Sequence, residues 1–109
     1  MNKIIFVVLF MCSQQVILVA QNSFSEQYDY AKKLYEQEKY FDAVTEFKRL
    51  LFFAKDNSYD YDANFLIGLS FLNDSNPNRE SGVEYLKVAE RLGSKKANEL
   101  LKELEVQKH

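Results

Sequence analysis

The sequence predicts an all-α fold, a short α-solenoid of two antiparallel helix pairs plus a C-terminal capping helix. Three observations predict it. Val83, Leu86, Ala89 and Leu92 follow helical spacing and make one apolar stripe, as an amphipathic helix requires. The same spacing occurs earlier: Ala43, Val44, Phe47 and Leu50 answer Gly82, Val83, Leu86 and Ala89, each pair 39 residues apart (82 − 43, 83 − 44, 86 − 47, 89 − 50). Finally, no stretch between Ser25 and Val106 keeps a two-residue alternation long enough to argue for a sheet.

The first twenty residues stand apart from this pattern. Lys3 precedes an apolar run from Ile4 to Met11, Ser13-Gln14-Gln15 interrupts it, and Val16 to Ala20 ends on a small residue before Gln21. A positive start, an apolar centre and a small-residue end are the parts of a secretory signal peptide. Cleavage after Ala20 is the expectation. The rival, an uncleaved anchor, needs ~20 continuous apolar residues, and Ser13, Gln14 and Gln15 break the run. Leu9-Phe10-Met11-Cys12 faintly resembles a lipoprotein cleavage box, which wants a small residue where Met11 stands.

Residues 21–109 are then the mature domain, exported to periplasm, cell envelope or medium. Loss of Lys3 leaves 13 basic residues against 16 acidic, 13 − 16 = −3. That balance argues against binding nucleic acid or an anionic membrane, which need concentrated positive charge. Cys12, the one cysteine, leaves with the signal, so stability rests on apolar packing without a disulfide. A domain this small buries only ~60–65% of its unfolded surface.

Helix one is predicted over Ser25–Gln37, with Phe24, Tyr28, Ala31 and Tyr35 on one face and Tyr30 and Leu34 beside it. Helix two, Tyr40–Lys55, turns Tyr40, Ala43, Val44, Phe47, Leu50 and Leu51 inward. Asn57 or Ser58 caps helix three, which reaches Asn73. Phe65 to Leu72 is apolar at nearly every position, the mark of a helix buried on several sides. Asn76-Pro77 supplies a cap and a first-turn proline for helix four. Gly93 ends helix four and Ser94 caps helix five, which runs to Val106 with Ala97, Leu100, Leu101 and Leu104 on its apolar face. One apolar and one charged face suit the terminal cap of a stack. Repeat one thus covers residues 24–57, repeat two 58–93 and the cap helix 94–106.

Small residues recur where helices must approach closely: Ala31 in helix one answers Gly68 in helix three, 68 − 31 = 37 residues on. The two-residue difference from the later offset falls in Asn73–Arg79, a longer connection than Gln37-Glu38-Lys39. A helix pair repeating at this period lies in the solenoid range. Over residues 24–104 the chain resembles the tetratricopeptide repeat superfamily, whose pattern has a small residue midway along helix A and an Ala, an aromatic and a further Ala on helix B. Ala31, Tyr40, Ala43 and Phe47 match in repeat one, with Leu50 in place of the last Ala. Gly68, Gly82 and Ala89 match in repeat two, with Leu86 at the aromatic position. The ending Ala89-x3-Gly93-x3-Ala97 is similar to the Sel-one-like branch of that superfamily.

Chemistry-bearing constellations are missing from the sequence. The single histidine, His109, is the last residue, so a catalytic triad or a histidine metal site has no candidate. Asp56 to Asp62 superficially resembles a calcium loop but has Tyr61 at the sharp-turn position and Ile67 at the closing ligand. The loop from Asp74 fails in the same way, with Arg79 and Tyr85 at those positions. Gly68, Gly82 and Gly93 are isolated and form no phosphate loop. No catalytic residue, cofactor, metal or small-molecule substrate is expected.

The surplus lies in aromatics, seven tyrosines and nine phenylalanines. Many must be core. The resemblance implies that helix A positions face a concave groove: Tyr28, Lys32 and Tyr35 from repeat one, and Asp62, Phe65, Leu69 and Leu72 from repeat two. Such a groove suits a partner helix or an extended peptide, anchored by its aromatics. It lacks the basic and asparagine set by which some family members clamp a peptide carboxylate. The competing expectation is that helix five or a second copy of the chain covers the groove. The leading functional expectation is a non-catalytic protein- or peptide-binding module. The alternative is a self-associating structural subunit of an envelope assembly.

Overall fold

The computed structural model describes residues 24–54 and 58–108 of the chain. The expected leader with Cys12, the candidate cap Asn57 and the terminal His109 lie outside the described residues. Helix α1 spans residues 24–36, and α2 (Tyr40–Phe53), α3 (Asp60–Asn73), α4 (Arg79–Arg91) and α5 (Lys95–Lys108) follow it. There is no strand among the described residues. This is the all-α helical-repeat arrangement that the sequence predicts, with helix ends within about three residues of expectation.

Contacts fix the directions of the helices. Tyr28 meets Phe47 at 6.0 Å and Tyr35 meets Tyr40 at 5.7 Å, so α1 and α2 run antiparallel. Gly68 lies against Leu86, and Gly82 against Leu72, which makes α3 and α4 antiparallel too. The first residue of α4, Arg79, donates to the Leu104 carbonyl at 2.9 Å, while Asn98 donates to Glu90 at 2.6 Å. The helix α5 therefore folds back along α4, and Arg79 brings a positive charge toward its C-terminal, partially negative end.

Two clusters form the core. Ala31, Leu34, Ala43, Val44, Phe47, Ala63 and Ile67 join α1, α2 and α3. Leu86, Ala89 and Ala97 form the second, with Phe65 and Leu72 from α3 and Leu100, Leu101 and Leu104 from α5 packed on it. The helix α3 belongs to both, which explains why its sequence is apolar on most sides. The 39-residue offset is visible in burial. Ala43, Phe47 and Leu50 are fully buried, and so are Leu86 and Ala89; Gly82 is buried beside them. The small residues act as predicted. A Cβ on Gly68 would stand 3.0 Å from the Gly82 carbonyl oxygen, and one on Gly82 only 2.8 Å from Leu72.

The helix ends confirm some expectations and correct others. Gly93, at φ 109°, ends α4 with the Ser94 N–H on the Ala89 carbonyl, and the Ser94 hydroxyl then accepts from the Ala97 N–H at 3.1 Å. Both roles are those predicted. The cap of α4 is Asn78, whose Oδ1 accepts from the Ser81 N–H at 3.0 Å, and not Asn76. Pro77 precedes that cap because the Asn78 N–H is tied back to the Phe71 carbonyl at 3.0 Å, which lengthens the turn. Tyr59 occupies the N-cap of α3 without a side-chain cap bond, displacing the expected Ser58. Leu92 leaves the apolar stripe and is 47% exposed, since α4 ends one residue before it.

Candidate protein-binding groove

Helices α1 and α3 lie side by side and parallel, and two contacts link them. Near their N-terminal ends the Tyr28 ring lies 5.3 Å from that of Tyr59, one residue before α3, and the charge of Asp62 helps raise the Tyr28 pKa. At their C-terminal ends Asn73 Nδ2 donates to the Tyr35 hydroxyl at 3.4 Å. Leu69 lies between Asp62 and Asn73, at seven and four residues' spacing, and so on the same helical face. It is half-buried and belongs to neither core cluster. Lys32 is exposed one turn from Tyr28 and Tyr35. Of the sequence-predicted residues, Tyr28, Tyr35 and Asp62 are linked across α1 and α3, and Lys32 and Leu69 lie on the same helical faces by register.

Phe65 and Leu72 do not join them. Both are half-buried and pack on Leu86, Ala89 and Ala97, on the side of α3 that meets α4 and α5. The reason is angular: with 3.6 residues per turn, positions 65 and 72 sit roughly 40–60° round the helix from Leu69, and Gly82 opens the space that Leu72 fills. These two residues face α4 and α5.

Tyr28 and Tyr35 are themselves only partly available. Each packs against the first core cluster, and Tyr28 also lies 5.3 Å from the Tyr59 ring. Burial raises the pKa of the Tyr28 phenol above its ordinary value, and the negative charges of Asp62 and Asp29 raise it further. Burial raises that of Tyr35 as well, opposed by the hydrogen bond from Asn73 and aided by Tyr40. Both phenols therefore stay protonated near neutral pH and carry donor hydroxyls on the α1–α3 face. Lys32, Asp29 and Asp62 form no ion pair among the described residues, where the one ion pair is Arg49–Glu46.

Tyr59 and Asn73 also touch the α1 tyrosines, Tyr59 the Tyr28 ring and Asn73 the Tyr35 hydroxyl, and neither was expected there. Asn73 had a legible signal, the four-residue step from Leu69 along α3. Tyr59 had none, because it sits before the helix starts. Among the described residues no group of His, Cys, Asp or Glu is arranged to hold a metal ion, and no helix is long and apolar enough to cross a membrane. Comparison with family models, curated proteins and solved structures finds no match to this chain.

Proposed function

We propose that this chain is an exported, tetratricopeptide-like repeat protein that binds a protein or peptide along the α1–α3 face and performs no catalysis. The observation that carries the reading is the set Tyr28, Lys32, Tyr35, Asp62 and Leu69 on adjacent parallel helices. Two phenol donors, one apolar side chain and one unpaired charge of each sign offer an extended segment both contact area and polar register points. The likeness to the Sel-one-like branch supports the same reading through the small-residue positions Ala89, Gly93 and Ala97. Export rests on the pattern of residues 1–20.

The test pairs capture with folding. Tagged parent and Leu69→Glu proteins are used as bait in extracts of the source cells, and thermal melts are recorded on both. Leu69 is half-buried, so the substitution should lower the melt somewhat, and capture is compared at a temperature where both proteins are folded; there the carboxylate should weaken capture by ~2 kcal/mol or more. A partner retained equally by both proteins would place binding elsewhere. Lys32→Glu serves as the rim control, altering salt dependence and on-rate more than folding.

A further inference from the structure

The outer face of α2 carries the most exposed large apolar side chains of any described helix. Phe41 is 80% exposed, Phe52 75% and Phe53 57%. Phe52 and Phe53 touch edge to face at 5.0 Å, leaving most of both rings to solvent. Apolar patches of this kind mark interaction surfaces. This face is distinct from the α1–α3 groove, so either surface can serve without the other.

We propose that the outer face of α2 is a homodimer interface, in which two copies of the helix pack antiparallel about a twofold axis. The face is complementary to itself. A twofold axis between Glu46 and Phe47 brings each residue level with the one whose number completes 93, and residues near the seam then face each other. Phe41, about 20° round the helix from Phe52, faces Phe52 of the second copy (41 + 52), and Thr45 lies beside Lys48 (45 + 48). Because the axis passes between residues, no charged side chain meets its own copy. Such self-complementarity is what an isologous contact requires.

The local contacts support this register. Lys48 is drawn back over the stacked Phe71 and Tyr85 rings, its Nζ 5.9 and 5.6 Å from their centroids. Arg49 is held by Glu46 of the same helix at 3.1 Å. Between Tyr40, Phe41, Thr45, Lys48 and Phe71 there is a cleft of about 290 Å³. In the antiparallel arrangement it lies where Phe52 of the second copy arrives, so each copy offers both a ring and a recess.

Charge and area both favour a second copy as the occupant. Asp42 and Glu46 balance Lys48 and Arg49 on this helix, so the face would not attract a strongly charged partner or an anionic membrane. Phe41 and Phe52 expose roughly 300 Å² together, taking ~200 Å² for each whole residue. That is somewhat under half of the ~800 Å² per partner in a standard interface, with Thr45, Lys48 and the cleft rim supplying more. The dimer is accordingly reversible, with a dissociation constant of roughly 1–100 µM.

Sedimentation velocity over a concentration series tests this on the chain as recovered from expressing cells. The parent should pass from monomer to dimer in that range. The double variant Phe41→Ser, Phe52→Ser should weaken dimerisation by tenfold or more with an unchanged helical spectrum, since both rings are exposed in the protomer. Register is tested separately at exposed Thr45. Thr45→Glu sets a carboxylate against Lys48 of the second copy twice per dimer and should tighten association roughly three- to tenfold; Thr45→Lys should loosen it. A parent that stays monomeric well above that range overturns the proposal. So does a dimer indifferent to the phenylalanine substitutions, which would place the contact elsewhere, for instance in the apolar residues 4–20. If both Thr45 variants shift association in the same direction, the antiparallel register is wrong.

Discussion

Glu38 holds a backbone conformation that L side chains avoid. Its φ is 63°, the only positive value among the described non-glycine residues. The cause is the end of α1, where the Lys39 N–H bonds the Leu34 carbonyl at 2.8 Å and the Glu38 N–H bonds that of Tyr35 at 3.0 Å. The same pair of bonds ends α4, where Gly93 takes the equivalent place. One closing motif thus uses a suitable residue once and a strained one once. Left-handed backbone costs an L residue about 1–2 kcal/mol, and glycine recovers part of that after its own entropy loss. Glu38→Gly should therefore stabilise the fold by ~0.5–1 kcal/mol in chemical denaturation. Gly93→Ala should destabilise it by ~1–2 kcal/mol. A Cβ at Gly93 has nothing within 4 Å, so that cost would come from the backbone alone. Equal stabilities for parent and Glu38→Gly would show that the strain at residue 38 is already relieved.

At the scale of elements, the closest approach is the α3–α4 crossing, where Gly68 and Gly82 face each other. A Cβ on Gly82 would come within 3.1 Å of the Gly68 carbonyl oxygen and 2.8 Å of Leu72. Leu72 can turn aside, but the carbonyl belongs to a helix and cannot. Gly82→Leu should separate the two helices and lower stability by ~1–3 kcal/mol or more, read as a lower denaturation midpoint. Gly82→Ala is a poor substitute, because its gain of ~1 kcal/mol in helix propensity offsets the crowding. An unchanged midpoint in Gly82→Leu would contradict the crossing. This crossing was legible in the sequence because a glycine inside a helix is costly, and its presence at the repeat position had to be repaid by contact. The cap of α4 was not. Asn76 and Asn78 are chemically the same, and only the bond from Asn78 N–H back to Phe71 decides between them. The candidate groove residues followed from the family resemblance, and helical spacing puts Tyr28, Lys32, Tyr35, Asp62 and Leu69 toward the α1–α3 face. Phe65 and Leu72 turn instead toward α4 and α5, because an apolar residue on a helix covered from several sides does not announce which neighbour covers it.

For the whole molecule, the question is what closes the second repeat. The first core cluster is enclosed by α1, α2 and α3, whereas Leu86 and Ala89 have α3 on one side and only α5 on the other. Ala97 is fully buried, while Leu100, Leu101 and Leu104 are half-buried on that cluster. Removing α5 would expose Phe65, Leu72 and Leu86 as well as losing its own contacts. Half-burial of three leucines is worth about 1 kcal/mol each, so α5 contributes ~3 kcal/mol before the polar contacts at its ends. Those are the Arg79 bond to the Leu104 carbonyl and the Asn98 bond to Glu90. In a domain of this size each kcal/mol moves the thermal midpoint by roughly 4–8 °C. A chain ending at Gly93 should accordingly melt about 12–24 °C below the parent, with a broader transition as the second repeat loosens first. Leu101→Ala in the full chain should fall between the two, because it removes one of the three leucines and leaves the helix in place. If the shortened chain melts with the parent, α5 is an appendage, and the two helix pairs are stable without it.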